Sequence, residues 1–185
     1  MKGQGYILLE IRPPRSQAVA LELSRNEAVE YAAAVWGPWD VIMRVKTPDT
    51  DALVALLTEI QGRDDVRRTE TCFIRNDQLQ LENPESFTES GRWAFLLLRV
   101  EAQKTLGILQ ALKTPSHESA KGAEIQHAAG ILGPYDIAVT VKHKTDSDLK
   151  QFVMDYVQDH VGGVRQTLTI PSIQWMVYRH GKLIG

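Results

Sequence analysis

Two segments of the sequence each predict a tight turn that leads directly into a strand. They read WGPWDVIMRVK at Trp36–Lys46 and LGPYDIAVTVK at Leu132–Lys142. The glycine, proline, aspartate, last valine and lysine recur at equivalent positions. After each turn, apolar and polar side chains alternate, which is typical of a strand with one buried face. The two stretches therefore predict the same turn and strand in each half of the chain.

The similarity between the halves continues beyond these stretches. Leu53 aligns with Leu149, and VRRTET at Val66–Thr71 aligns with VRQTLT at Val164–Thr169. A repeat of this length, with its elements in one order, indicates two homologous halves.

The repeat sets the predicted domain boundaries. We predict a first domain at residues 1–76 and a second at residues 92–185. Residues 77–91 between them are mostly polar and rich in turn formers, so we assign them to a linker.

Each half reads as strand, helix, strand, strand, helix, strand. The second helix of each half carries apolar residues at helical spacing: Leu53, Leu56, Leu57 and Ile60, and Leu149, Phe152, Val153, Tyr156 and Val157. Residues able to cap these helices precede them: Asp49, Thr50, Asp146 and Ser147. In the last predicted strand, Pro171 must lie at an edge or a bulge.

The order βαββαβ defines the ferredoxin-like unit, which carries its helices on one face of the sheet. The other face needs a cover, and the economical cover is the sheet of the other half or of another chain. We therefore predict an α+β fold of two tandem ferredoxin-like domains, of the dimeric α+β barrel type, with their sheets packed face to face.

Composition excludes several classes of protein. The 185 residues have a net charge of −2, which lacks the basic excess of a dedicated nucleic-acid binder. Cys72 is the single cysteine, so the chain has no internal disulfide and no zinc site built on a cysteine pair. A single cysteine without a disulfide partner fits a cytoplasmic location. The apolar N-terminal run breaks at Glu10, unlike a signal peptide, and no segment approaches the ~20 apolar residues of a membrane span.

The two motifs together resemble a known family. Each half is similar to the effector-binding domain of the Lrp/AsnC regulators, also called the RAM domain. Gly37–Asp40 and Gly133–Asp136 match the Gly-x-Tyr-Asp turn of that family. Val66–Thr71 and Val164–Thr169 match its Val-x-x-Thr-x-Thr strand start.

The resemblance implies a non-catalytic protein that senses an amino acid or a related small metabolite and forms homo-oligomers. Full-length members carry an N-terminal helix-turn-helix, for which we expect no room here. We therefore expect no direct nucleic-acid binding, no membrane contact, no cofactor, and a protein partner such as a full-length regulator. The implied ligand-binding residues are Gly37, Trp39, Asp40, Thr71, Gly133, Tyr135, Asp136 and Thr169.

The two halves depart differently from the family pattern, so two equivalent sites are not assumed. Trp39 replaces the usual tyrosine of the turn, and Asp65 replaces the usual glycine before Val66. Gly163 keeps that glycine in the second half. The segment Lys113–Ala123 lengthens one connection in the second half only.

Structural alternatives accompany these functional interpretations. The aspartates of both turns also suit a purely structural hairpin, since aspartate bonds readily to nearby backbone. A protein without a ligand, which serves only as an interaction module, is a further hypothesis. Arg63–Arg68 reads as a solvated loop with ion pairs.

An enzyme is the alternative from another class. Small monooxygenases and enzymes that handle haem or other tetrapyrroles also use ferredoxin-like sheets. His127 is the histidine to consider as a proton donor or haem ligand, although the sequence favours a solvent-face strand residue. His117-Glu118 opens like a zinc-protease motif but lacks the second histidine, so we expect no metal site.

Overall fold

The computed structural model describes residues 3–75, 80–82, 91–113 and 121–185, without the side chains of Gln174 and Trp175. Its strands are β1 (Gly3–Ile11), β2 (Val29–Val35), β3 (Val41–Thr47), β4 (Val66–Ile74), β5 (Gln80–Glu82), β6 (Arg92–Val100), β7 (Ala123–Leu132), β8 (Ile137–His143), β9 (Val164–Arg179) and β10 (Lys182–Leu183). Its helices are α1 (Ser16–Leu23), α2 (Thr50–Gln61), α3 (Thr105–Lys113) and α4 (Asp146–Gln151), which continues as a π-helix over Phe152–His160. The predicted order βαββαβ is confirmed in both halves. Every helix within the described ranges is too short or too polar to span a bilayer.

The chain divides into two compact units that differ from the predicted domains at the C-terminus. Unit 1 comprises Met1–Phe73 and Pro171–Gly185, and unit 2 comprises Ile74–Ile170. The physical reason is the length of β9, whose C-terminal part hydrogen-bonds to β2, with Tyr178 opposite Ala32. The last residues of the predicted second domain therefore fold with the first.

The sheet of unit 1 has the antiparallel order β9–β2–β3–β1–β4. Its register places Tyr6 of β1 between Arg44 of β3 and Cys72 of β4. The pairing of β9 with β2 is irregular between Ala33 and Val35, and Val35 lies opposite Ser172. Pro171, which has no N–H to donate, therefore sits beside an irregularity, as its chemistry predicts.

Helices α1 and α2 cover one face of the unit 1 sheet. The side chain of Asp49 caps α2 by accepting a hydrogen bond from the Ala52 N–H at 2.8 Å, as the sequence predicts. The apolar stripe of α2 is buried in a core with alternate residues of the strands, which include Ile7, Leu9 and Met43.

The sheet of unit 2 has the order β5–β7–β8–β6, and β9 also pairs with β6. The strand β5 corrects the predicted linker, because Gln80–Glu82 lie inside residues 77–91 and pair with His127–Ala129. The other residues of that linker, apart from Gly91, lie outside the described part of the chain.

Helix α3 and the α4–π segment cover one face of the unit 2 sheet. Phe152, Val153, Tyr156 and Val157 are buried as predicted, although the backbone that carries them is π-helical. The predicted caps Asp146 and Ser147 are wrong by one or two residues. Thr145 caps α4, and its side chain and that of Asp148 each accept a backbone N–H of the other residue.

Candidate functional site

The turn of unit 1 connects β2 to β3 through Gly37–Asp40. Gly37 has a φ of 144°, a region that side chains with a Cβ rarely adopt, so the glycine is required by the turn. The backbone N–H of Val35 donates to the carbonyl of Asp40 at 3.0 Å and closes the turn.

The carboxylate of Asp40 is bonded to the backbone of β1. The N–H of Ile11 donates to Oδ2 of Asp40 at 2.7 Å, and the N–H of Asp40 donates to the carbonyl of Leu9 at 2.9 Å. No other described residue bonds to the carboxylate, which leaves Oδ1 as an acceptor. Asp40 therefore stabilises the hairpin through Oδ2, and Oδ1 can still accept a hydrogen bond.

Trp39 is nearly buried, with 7% of its surface exposed, and an arginine lies over its ring. The Cζ atom of Arg68 is 4.4 Å from the ring centroid, within the range of a cation–π contact. Nε of Arg68 also lies 3.5 Å from a carboxylate oxygen of Glu10. The aromatic residue of this turn thus lies next to an exposed guanidinium.

The turn of unit 2 repeats the aspartate geometry. The N–H of Val100 donates to Oδ2 of Asp136 at 2.9 Å, and the N–H of Asp136 donates to the carbonyl of Leu98 at 2.8 Å. Gly133 has a φ of 158°. The two predicted aspartates therefore hold equivalent positions within their own units.

An arginine also lies over the aromatic ring in unit 2, but it comes from a different strand. The Cζ atom of Arg99 in β6 is 5.5 Å from the ring centroid of Tyr135, and its Nε donates to the carbonyl of Pro134 at 2.8 Å. In unit 1 the arginine, Arg68, belongs to β4. Arg99 is thus anchored to the turn backbone, whereas Arg68 faces a carboxylate that a ligand could replace.

The two predicted threonines form no described hydrogen bond with the aspartates of the turns. Thr71 pairs with Ile7 across β4 and β1 and is half-buried. Alternation along β4 puts it on the helix-covered face with Thr69, whose hydroxyl accepts a hydrogen bond from Gln61 of α2 at 3.0 Å. Thr169 is half-buried in β9. No described hydrogen bond links either Thr71 or Thr169 to an aspartate of a turn.

His127 corrects a prediction, because it is fully buried and not a solvent-face residue. It lies in β7 between Thr140 of β8 and Glu82 of β5, and its Nε2 is 3.4 Å from Oε1 of Gln80. The burial of His127 was not predictable, because β5, which pairs with it, falls in the segment assigned to the linker.

Sequence reasoning also missed a cleft in unit 1 between the β1–α1 loop and the α2–β4 loop. The cleft has a volume of about 510 Å³ and is lined by Arg12, Pro13, Pro14, Arg15, Gly62, Arg63, Asp64 and Asp65. The carboxylate of Asp65 accepts two hydrogen bonds from Arg63, each at 2.9 Å. That contact lowers the pKa of Asp65 and raises the pKa of Arg63.

The remaining reactive groups do not assemble into a site. Burial raises the pKa of the Cys72 thiol to about 12, with a smaller effect from the charge of Glu70. In the part of the chain that the structure describes, no three His, Cys, Asp or Glu side chains are grouped to hold a metal ion. His117 lies outside that part.

A family model and solved structures place these observations among known proteins. Residues 4–77 match the model of the Lrp/AsnC ligand binding domain, which confirms the predicted resemblance for this part of the chain. The duplication of that domain in the second half stays a prediction. No curated protein matches the chain.

Three solved structures are similar over most of the chain. The siroheme decarboxylase NirDL has a TM-score of 0.66 at 9% identity and covers 94% of this chain and 72% of its own. A putative monooxygenase from Lactobacillus acidophilus NCFM has a TM-score of 0.62 at 10% identity and covers 100% and 99%. Chlorite dismutase from Candidatus Nitrospira defluvii has a TM-score of 0.57 at 10% identity and covers 93% and 91%.

These structures confirm the α+β fold class and correct one prediction. The expectation that the chain is not an enzyme is wrong as an exclusion, because enzymes share its fold over 93% or more of its length. At identities of 9–10% the likeness shows the fold alone.

Proposed function

We propose that this chain binds a small amino-acid-type metabolite through unit 1 and acts as the ligand-sensing part of a regulatory assembly. The match of residues 4–77 to a ligand binding domain supports this proposal, since that range contains the Gly37–Asp40 turn. The observation that carries it is the arrangement at the turn. One oxygen of Asp40 is open, and the guanidinium of Arg68 lies over the ring of Trp39.

The arrangement suits a zwitterion. Oδ1 of Asp40 can accept hydrogen bonds from an ammonium group, because the carboxylate is an acceptor only. Arg68 can bind a carboxylate with two donors once the ligand displaces Glu10, whose oxygen lies 3.5 Å away. Both pairs are charge-assisted, and the ring of Trp39 holds the guanidinium in place. Gly133, Tyr135, Asp136, Thr71 and Thr169 stay predictions of the resemblance.

Calorimetric titration with the individual amino acids tests the proposal on the full chain. Asp40→Asn is the informative variant, because its amide oxygen still accepts the N–H of Ile11 while its NH₂ group opposes an ammonium. We expect it to keep the stability of the wild type and to weaken binding about tenfold. Asp136→Asn is the matched variant in unit 2. Absence of binding by every amino acid would overturn the proposal.

The second candidate is an enzyme that handles a tetrapyrrole, and the burial of His127 favours it. A buried imidazole can hold or transfer a proton or act as a ligand. Its Nε2 would first have to separate from Gln80, which lies 3.4 Å away. Titration with siroheme, followed by absorption, tests this candidate. We expect a spectral change that His127→Ala removes and that His180→Ala, at an exposed site, leaves in place.

Partners remain part of the proposal. The ligand-binding domain type supports oligomerisation, so we propose a homo-oligomer, a full-length regulator as the protein partner, and a cytoplasmic location. Native mass spectrometry of the purified chain measures the first of these. A strict monomer at all concentrations would contradict it.

A further inference from the structure

The cleft of unit 1 is built from two loops that approach each other at one end of the sheet. One wall is Arg12–Arg15 after β1, and the other is Gly62–Asp65 after α2. The N–H of Arg12 donates to the carbonyl of Asp65 at 2.9 Å and joins the walls at the base. Its volume of about 510 Å³ lies in the range of small-molecule sites.

A closed ring of ion pairs neutralises most of the charge around the cleft. Nη2 of Arg63 donates to Glu22 at 2.7 Å, and Nη2 of Arg15 donates to the other oxygen of Glu22 at 3.2 Å. Nη1 of Arg15 lies 3.5 Å from Oδ2 of Asp65, which also binds Arg63. The two arginines and the two carboxylates therefore compensate one another and fix both walls in position.

Two charged residues of the lining stay outside this ring, one on each wall. Arg12 is exposed, and no described residue forms an ion pair with its side chain. Asp64 is also exposed, and it likewise has no ion pair among the described residues. Pro13 and Pro14 add apolar surface to the lining.

We propose that this cleft is a second binding site, for a zwitterionic small molecule such as a free amino acid. Arg12 takes the carboxylate, Asp64 takes the ammonium group, and Pro13–Pro14 contact the side chain. The cleft is distinct from the site proposed above, because no residue of the Gly37–Asp40 turn lines it. Fixed walls favour binding, because little conformational freedom is lost when the ligand enters.

The described residues of unit 2 do not provide an equivalent site. Its corresponding backbone hydrogen bond runs from the N–H of Glu101 to the carbonyl of Gly163 at 2.9 Å. Glu101 therefore stands where unit 1 has Arg12, and Gly163 stands where unit 1 has Asp65. The charge that would take a carboxylate is reversed, so we expect the site in unit 1 alone.

Ligand chemistry and variants test the proposal together. Glycine, leucine and phenylalanine are titrated into the full chain at up to about 10 mM, each beside its α-amide and its N-acetyl derivative. Amide NMR signals of Gly62 and Arg63 report occupancy of the cleft. We expect one of the free amino acids to shift these signals. We also expect either derivative to bind at least about tenfold more weakly, because each lacks one charge.

Variants of Arg12 and Asp64 test which of the two residues binds each charged group of the ligand. Arg12→Gln should weaken binding of the free amino acid about tenfold and leave binding of the α-amide unchanged. Asp64→Asn should also weaken binding of the free amino acid about tenfold, and it should leave binding of the N-acetyl derivative unchanged. Arg165→Gln and Asp159→Asn are matched exposed controls. Signals of the cleft that do not move, or binding that is unchanged in both variants, would overturn the proposal. Binding lost in Asp40→Asn and retained in Arg12→Gln would overturn the cleft and support the turn site.

Discussion

The carboxylate of Asp40 and the backbone N–H of Ile11 form a 2.7 Å hydrogen bond that ties the start of β3 to the end of β1. Asp136 and Val100 form the same bond in unit 2 at 2.9 Å. A half-buried N–H that lost its acceptor would have to find water or stay unpaired, and an unpaired one is costly. The aspartates of both turns therefore stabilise the hairpins, whatever they bind.

Asp40→Ala should consequently lower the free energy of unfolding by about 1–3 kcal/mol, because it leaves the N–H of Ile11 without its partner. Asp40→Asn should cost less than about 1 kcal/mol, since the amide oxygen can replace the carboxylate. Urea denaturation of both variants measures the difference. Equal stability of Asp40→Ala and the wild type would contradict this role.

Asp65 should make the protein sensitive to acid. Its pKa is lowered chiefly by the hydrogen bonds from Arg63, so its stabilising effect is fully present above the unfolded-state pKa of about 4. That effect is lost as the pH falls from there through the lower pKa of the folded state. Asp65→Asn should cost about 1–2 kcal/mol at neutral pH and progressively less below about pH 4.

The comparison for Asp65 is Asp159→Asn, which removes the same charge at an exposed position of the π-helix. Urea denaturation of the two variants across the acid range separates the ion-pair ring from a general charge effect. A cost for Asp65→Asn that did not change with pH would rule out the ionised contact as its cause.

His143 should give a pH dependence in a different range. Its Nδ1 lies 3.0 Å from the carbonyl of Thr145, and its buried Nε2 has no hydrogen-bond partner among the described residues. Burial is the largest cause of its lowered pKa; Arg92 adds to the lowering, while the Thr145 hydrogen bond and the charges of Asp146 and Asp148 oppose it.

The unfolded chain therefore binds a proton at His143 more readily than the folded chain does. The free energy of unfolding should fall as the pH drops below about 6.5 and level off below the folded-state pKa. His143→Gln should flatten this dependence, whereas His180→Gln, at an exposed position, should not. Urea denaturation at several pH values measures the slope, and an unchanged slope in His143→Gln would refute the assignment.

Two glycines of unit 2 should respond in opposite directions to alanine. Gly122 has a φ of 88°, and an added Cβ would lie 2.6 Å from Oδ1 of Asp148, a residue of the α4 cap. Gly122→Ala should therefore cost about 1–2 kcal/mol from the backbone conformation alone. Gly107 lies in α3 with nothing within 4 Å of such a Cβ, so Gly107→Ala should gain up to about 1 kcal/mol. Thermal unfolding of the pair measures both, and shifts of the same sign would contradict the prediction.

The secondary structure was predictable because it follows from patterns of residues that are close together in the sequence. Strand β3 is observed at Val41–Thr47, where the alternating pattern after the turn predicts a strand, and Leu53, Leu56 and Ile60 are buried as their spacing predicts. Contacts between residues distant in sequence were not predictable. Arg63 and Asp65 are neighbours in sequence, but Glu22 reaches Arg63 only because α1 packs in the same unit.

The same reason limited the interpretation of the site. The bond from Asp40 to the backbone could not be predicted from the turn, because its partner Ile11 lies 29 residues earlier. The burial of His127 could not be predicted either, because no periodic pattern of residues indicates that β5 pairs with β7. The charge of a loop can be read from its residues, but its ion pairs depend on the tertiary structure.

The strand β9 carries a consequence for any attempt to divide this protein. Its residues from Pro171 onward supply the neighbour that β2 needs. A fragment that stops at residue 76 would leave the N–H and carbonyl groups of β2 as an open edge, ready to pair with another chain. The two halves of the sequence are thus not interchangeable modules, because the first is completed only when the last residues have been synthesised.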